Sequence, residues 1–152
     1  MDGVLNPFVP TGEALPDGFE EHRLDGIRVL LAPRHGEWLR SLMPAYELVW
    51  ATTWEADANE RIASVLGLPP MPHIAFTPAP AGYDGWTKKL PDVIAFVGDR
   101  SLAWLDDRFG ADEGQWAAER TEAGIPTLLL ATDGRIGLSE VGVEQLRSFA
   151  AH

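Results

Sequence analysis

Ser101-Leu102-Ala103-Trp104-Leu105-Asp106-Asp107 is an apolar run that stops on two adjacent carboxylates. A short apolar run bounded by polar residues reads as a buried strand, and Ser101–Leu105 is predicted as one. Upstream, Lys89 to Val97 has helical spacing, with Pro91 in the first turn, where a missing N–H costs little. Downstream, Asp112 to Ala123 reads as a helix closed by Gly124, and Pro126 to Ala131 as a second apolar strand. Helices alternating with apolar strands are the pattern of βαβ units and a parallel sheet.

Toward the N-terminus the same alternation continues. Glu55 to Leu66 is predicted helical with Gly67 as its stop, and it follows the strand-like run Tyr46–Ala51, which halts at Thr52-Thr53. His73 to Phe76 reads as a brief strand in a Pro-rich connector. His35 to Leu42 has helical spacing and is stopped by Pro44. Phe19–Leu24 and Ile27–Leu31 flank Asp25-Gly26, a strong two-residue hairpin signal. Residues 7–18 read as loop, Asp133-Gly134 as a turn, and Ser139 as the N-cap of a last helix through Phe149. The fold class expected is a three-layer α/β domain with a parallel sheet, spanning 1–152 as one unit.

Composition narrows the function. The 152 residues are 45% hydrophobic and 23% charged, as in ordinary globular chains. That length suffices to bury about two-thirds of the unfolded surface. A net charge of -11 argues against binding along extended nucleic acid, which needs clustered cations. It leaves open the handling of a single phosphate group. The absence of cysteine excludes disulfides, thiolate metal sites and a Cys nucleophile. No segment reads as a secretory signal or a membrane span, so a cytoplasmic location and no membrane partner are expected.

In open α/β sheets ligands bind at the carboxyl ends of the strands. Those ends hold Thr52, after Tyr46–Ala51, and Asp106-Asp107, after Ser101–Leu105, with Lys88-Lys89 opening the helix before them. Asp2-Gly3 sits where a first strand would end. Alone, each piece has a plainer reading: a helix cap for the acidic pair, a capping hydroxyl for Thr52, a solvated helix start for the lysines, a terminal residue for Asp2. Together they supply hard oxygens for Mg²⁺ and a cation and hydroxyl for phosphate oxygens.

These residues carry a resemblance. Asp2-Gly3-Val4-Leu5-Asn6-Pro7 is similar to the second half of the haloacid dehalogenase-like signature Asp-x-Asp-Gly-Val-Leu-Asn-Pro. Val49-Trp50-Ala51-Thr52 resembles the second motif of that superfamily, Lys89 its third, and Leu102 through Asp107 its acidic fourth. The match is in order along the whole chain and is nearest to the compact, almost capless domains associated with RNA repair proteins.

The resemblance implies a Rossmann-like sheet and a Mg²⁺-dependent phosphohydrolase acting through an aspartyl-phosphate. It assigns Asp2 as general acid/base and, through its carbonyl, as a Mg²⁺ ligand. Thr52 would bond a phosphoryl oxygen, Lys89 would neutralise charge, and Asp106, with Asp107 beside it, would hold the metal. Lys88 is the alternative to Lys89. The hairpin Phe19–Leu31 takes the place of the family's flap, and the stretch from Asn6 to Tyr46 leaves no room for a large cap. An open site favours an extended or macromolecular phosphorylated substrate, a small molecule or a nucleic-acid end being the classes expected.

The family's attacking aspartate stands two residues before the general acid, just before Met1, on an apolar strand central in the sheet. It is expected to be encoded upstream, with Met1 an internal position misread as the start; the alternative is a non-catalytic, phosphate-binding relative. Of the tryptophans, Trp38, Trp50 and Trp104 read as core, while Trp54 and Trp86 lie near the expected rim, where a nucleobase could stack. His22, His35, His73 and His152 show no metal-ligand spacing and read as surface or structural residues.

Overall fold

The computed structural model describes residues 1–78 and 89–151. Lys88, Trp86 and His152, named above, lie outside the described residues. The architecture is mixed α/β. A hairpin of β1 (Glu20–Leu24) and β2 (Ile27–Leu31) precedes helix α1 (Pro33–Leu42). A short helix α2 (Ser64–Leu66), then α3 (Leu90–Val97), β3 (Leu102–Asp106), α4 (Ala111–Glu122), β4 (Thr127–Ala131) and α5 (Glu140–Ala150) follow.

The hairpin forms where Asp25-Gly26 predicts it. Both residues have positive φ, 50° and 82°, as a two-residue primed turn requires. The strands pair from Glu20 opposite Leu31 to Leu24 opposite Ile27. Val29, Leu30 and Leu31 are fully buried, so β2 carries the hairpin's attachment to the body.

β3 and β4 form the predicted parallel pair, Leu102 opposite Thr127 through Asp106 opposite Ala131. The β3 strand runs one residue further than expected and ends on Asp106 itself. Ser139 caps α5 by accepting the Gly142 N–H at 3.2 Å, as its residue type predicts.

Two expectations are corrected. Tyr46–Ala51 is not a strand: it makes one parallel bridge, Trp50 with His73, and the predicted His73–Phe76 strand is reduced to the other half of that bridge. Trp50 N–H donates to Pro72 O, and Ile74 N–H to Trp50 O. Beyond Trp50 the ladder could extend only through the edge carrying Val49 and Ala51 or the edge of β3 away from β4. No backbone hydrogen bond joins these two edges among the described residues. A strand persists only where a ladder satisfies it, so the parallel sheet present is two-stranded rather than a full three-layer sheet.

The second correction concerns Glu55–Leu66. Its start is corrected rather than its type: tight turns run to Ala56, with Glu55 at φ 45°, and helix begins at Asp57. A widened π turn, Asn59–Ala63, then leads into α2. Asn59 at its head is fully engaged elsewhere: Oδ1 accepts Trp50 Nε1–H at 2.9 Å and Met71 N–H at 2.8 Å. Gly67 ends the segment as predicted, at φ 64°, and Leu68 N–H closes back on Ala63 O.

The largest buried cluster gathers Val4 and Leu5 of the N-terminal loop, Val29 and Leu31 of β2, Ile62 and Leu66, and Leu138 and Val143 beside α5. Burying one such side chain contributes about 1.5–3 kcal/mol. The loop carrying Asp2 is therefore anchored to the core by its own apolar residues. His35 is also fully buried, with Nε2 3.0 Å from Leu138 O. No helix among the described residues is long and apolar enough to cross a membrane.

Candidate functional site

The Met1–Pro7 segment closes on itself before it meets anything else. Met1 O accepts the N–H groups of Val4, Leu5 and Asn6, and Gly3 N–H returns to Asn6 O at 2.8 Å. That tight loop requires φ 71° at Gly3, in the region where glycine alone is unstrained. Two further bonds fix it to the second half of the chain: Leu138 N–H to Val4 O and Thr132 Oγ1–H to Gly3 O.

The loop holds Asp2 by both carboxylate oxygens. Asn6 Nδ2 donates to Oδ1 at 2.7 Å, and Trp54 Nε1 to Oδ2 at 3.3 Å. Asn6 also accepts Leu30 N–H at 2.8 Å, so one amide ties the acid to the hairpin. Asp2's own carbonyl oxygen accepts no hydrogen bond among the described residues.

Asp106, last in β3, is buried, and both its oxygens are engaged. Lys89 Nζ is 2.7 Å from Oδ2, and Asp107 N–H donates to Oδ1 at 3.0 Å. Lys89 stands at the N-terminus of α3, where the helix dipole disfavours a cation. Its pairing with Asp106 offsets that disadvantage and draws the ammonium inward; the lysine is not a solvated helix start.

Asp107 packs on Gly3 so closely that a Cβ there would come within 2.5 Å of its Cγ. Its pKa is raised, first by burial and then by the neighbouring Asp106 carboxyl. Arg108 Nε, 3.4 Å from Oδ2, offsets this in part. The Met1 α-amino group is pushed down to about 6 by burial and Lys89, against the pull of Asp2, Asp106 and Asp107. Lys89, Asp2, Asp106 and Asp107, but not Thr52, thus lie near enough to bear on that one nitrogen.

Thr52 is reached indirectly. It is buried, and its Oγ1 accepts Trp54 N–H at 3.3 Å while its carbonyl accepts Glu55 N–H. Trp54 therefore touches both Thr52 and Asp2. The Thr52 hydroxyl donates no hydrogen bond among the described residues.

Asp2, Lys89, Asp106 and Asp107 are brought together, with Thr52 joined through Trp54. Sequence reasoning assigned no role to Asn6, although an Asn four residues beyond an Asp in a tight loop is a readable signal. It weighed Trp54 as a stacking surface and missed its indole N–H as a donor.

Among the described residues no group of three or more acidic or histidine side chains is arranged to hold a metal ion. Mg²⁺, however, is commonly held by one or two carboxylates and completes its shell with water and substrate phosphate. Asp106 and Asp107 are adjacent carboxylates of that hard-oxygen chemistry, and Asp2 O accepts no hydrogen bond among the described residues. Compared with protein-family models, curated proteins and solved structures, the chain matches none.

Proposed function

We propose that this chain is a haloacid dehalogenase-like domain that binds a phosphoryl group with Mg²⁺ and serves its hydrolysis. The observation that carries the reading is the Lys89–Asp106 pair at 2.7 Å set beside Asp107, which itself packs on the Gly3 backbone of the Asp2 loop. A cation and two carboxylates meet there from segments far apart in sequence, and Thr52 is linked to Asp2 through Trp54.

Each residue has a definite part. Lys89 has three donor hydrogens and spends one on Asp106, so the others can face phosphoryl oxygens. Thr52 offers its hydroxyl proton to the same group. Asp2, clamped at both oxygens, gives a proton to the leaving oxygen and takes one from the hydrolytic water. Asp106 and Asp107, with the Asp2 carbonyl, would hold Mg²⁺, which when bound offsets charge on the phosphoryl oxygens. The attacking carboxylate in this reading stands two residues before Asp2. The substrate class proposed is a phosphomonoester, either a small molecule or a nucleic-acid end.

The test is turnover of p-nitrophenyl phosphate with Mg²⁺ by the protein carrying any upstream in-frame codons. Turnover abolished by Asp106→Asn supports hydrolysis. Absent turnover, or turnover untouched by Asp106→Asn, contradicts it. Binding of inorganic phosphate without turnover would instead favour the non-catalytic relative.

A further inference from the structure

Trp54 lies outside the residues given a role above, yet it contacts two of them. Its backbone N–H meets Thr52 Oγ1, and its indole N–H meets Asp2 Oδ2, both at 3.3 Å. The ring is braced from the other side. Arg61 places its guanidinium carbon 5.9 Å from the ring centroid, and its Nη2 lies 3.0 Å from Asp25 Oδ2 at the hairpin tip and 3.4 Å from Asp57 Oδ2. The indole also packs against the main buried cluster.

An indole offers one donor in a direction fixed by its ring. With Asn6 on the other oxygen, that donor leaves the Asp2 carboxyl group no freedom to rotate. A partly buried indole N–H commonly finds some acceptor for its own sake. What sets this one apart is that the acceptor is the proposed acid and the tryptophan's own backbone sits on the proposed phosphate ligand.

We infer that Trp54 is a positioning residue for Asp2, holding the carboxyl group so that its proton is aimed at the leaving oxygen. The inference rests on the hydrolase reading. In the step concerned, the P–O bond to the leaving group breaks and its electron pair stays on that oxygen. The Asp2 proton moves to the same oxygen, and the phosphoryl group passes to the carboxylate upstream of Asp2. Each Asp2 oxygen keeps a lone pair for its N–H donor both in the protonated acid and in the carboxylate left behind.

Aiming a proton matters only where the leaving oxygen needs one. Nitrophenolate departs readily without protonation, whereas an alkoxide does not. In the active protein, Trp54→Phe keeps the ring and removes the donor. Because Asp2 also serves the later water step shared by both substrates, the readout is the first-turnover release of the leaving group, expected to slow by about tenfold or more for β-glycerophosphate and by no more than about twofold for p-nitrophenyl phosphate. Equal losses on both substrates, or none on either, overturn the inference.

If the wild type turns over neither substrate, the hydrolase reading fails, and the catalytic role of Trp54 fails with it. The contact itself is then read separately on the 152-residue chain. The Trp54 indole ¹⁵N–¹H resonance should shift and exchange faster with solvent in Asp2→Ala, and also move in Asp2→Asn. An unmoved resonance in both overturns the contact.

Discussion

Lys89 Nζ lies 2.7 Å from Asp106 Oδ2 across an ion pair mostly withdrawn from solvent, joining the start of α3 to the end of β3. Removing one partner of such a pair leaves the other buried and uncompensated, which costs about 3–5 kcal/mol when burial is complete. Both side chains keep some exposure, so Lys89→Met is expected to lower stability by about 3 kcal/mol, measured by urea unfolding. Adding Asp106→Asn should restore part of that loss, since neighbours in contact are not additive.

Gly3→Ala tests the seam between the Asp2 loop and the acidic pair. Left-handed backbone costs a non-glycine residue about 1–2 kcal/mol, and the new Cβ would collide with Asp107. A destabilisation of at least about 2 kcal/mol is expected, together with weakened Mg²⁺-dependent phosphate binding. A variant with unchanged unfolding midpoint and unchanged binding would place Asp107 elsewhere.

Asp107→Asn should act in the opposite direction on stability. Burial and the adjacent Asp106 oppose its charge, so the neutral amide is expected to raise Tm by a few degrees without metal. The same substitution should shrink the further rise in Tm that Mg²⁺ produces. Thermal melts with and without Mg²⁺ read both effects.

Burial pushes His35 down to about 4, with its hydrogen bond to Leu138 acting in the other direction. An unfolded histidine titrates near 6.5, so between about 6.5 and about 4 the unfolded chain takes up a proton that the folded chain refuses. Stability from this group is complete above that window and falls by about 3 kcal/mol as pH drops through it. Urea midpoints from pH 7 to 5 should show this slope, and His35→Gln should flatten it.

Local rules made much of this molecule legible. Asp25-Gly26 dictates its hairpin because both positions need positive φ, and Ser139 and Gly67 mark helix ends through side-chain and backbone geometry that a sequence displays. β3 and β4 announce themselves as short apolar runs between helices. Lys89 and Asp106 meet because a helix start and the next strand end share one edge, while the Asp2 loop joins them through Gly3 against Asp107 rather than as a strand end.

What stayed hidden depends on partners distant in sequence. Tyr46–Ala51 has the composition of a strand, but among the described residues its one bridge to another segment is at Trp50. The widened turn at Asn59 coincides with an amide held by Trp50 and Met71, contacts that no periodicity encodes. Trp54 as a donor to Asp2 spans 52 positions and is likewise invisible to spacing.

The proposed phosphate site at Lys89, Asp106 and their neighbours is tested most directly by thermal unfolding of the 152-residue chain with inorganic phosphate and Mg²⁺. A ligand at about 100 times its Kd stabilises the folded state by about 2.7 kcal/mol. Phosphate and Mg²⁺ together should therefore raise Tm by several degrees in the wild type, and by far less in Lys89→Met and Asp106→Asn. An unchanged wild-type Tm at saturating concentrations, or an equal rise in all three proteins, would contradict it.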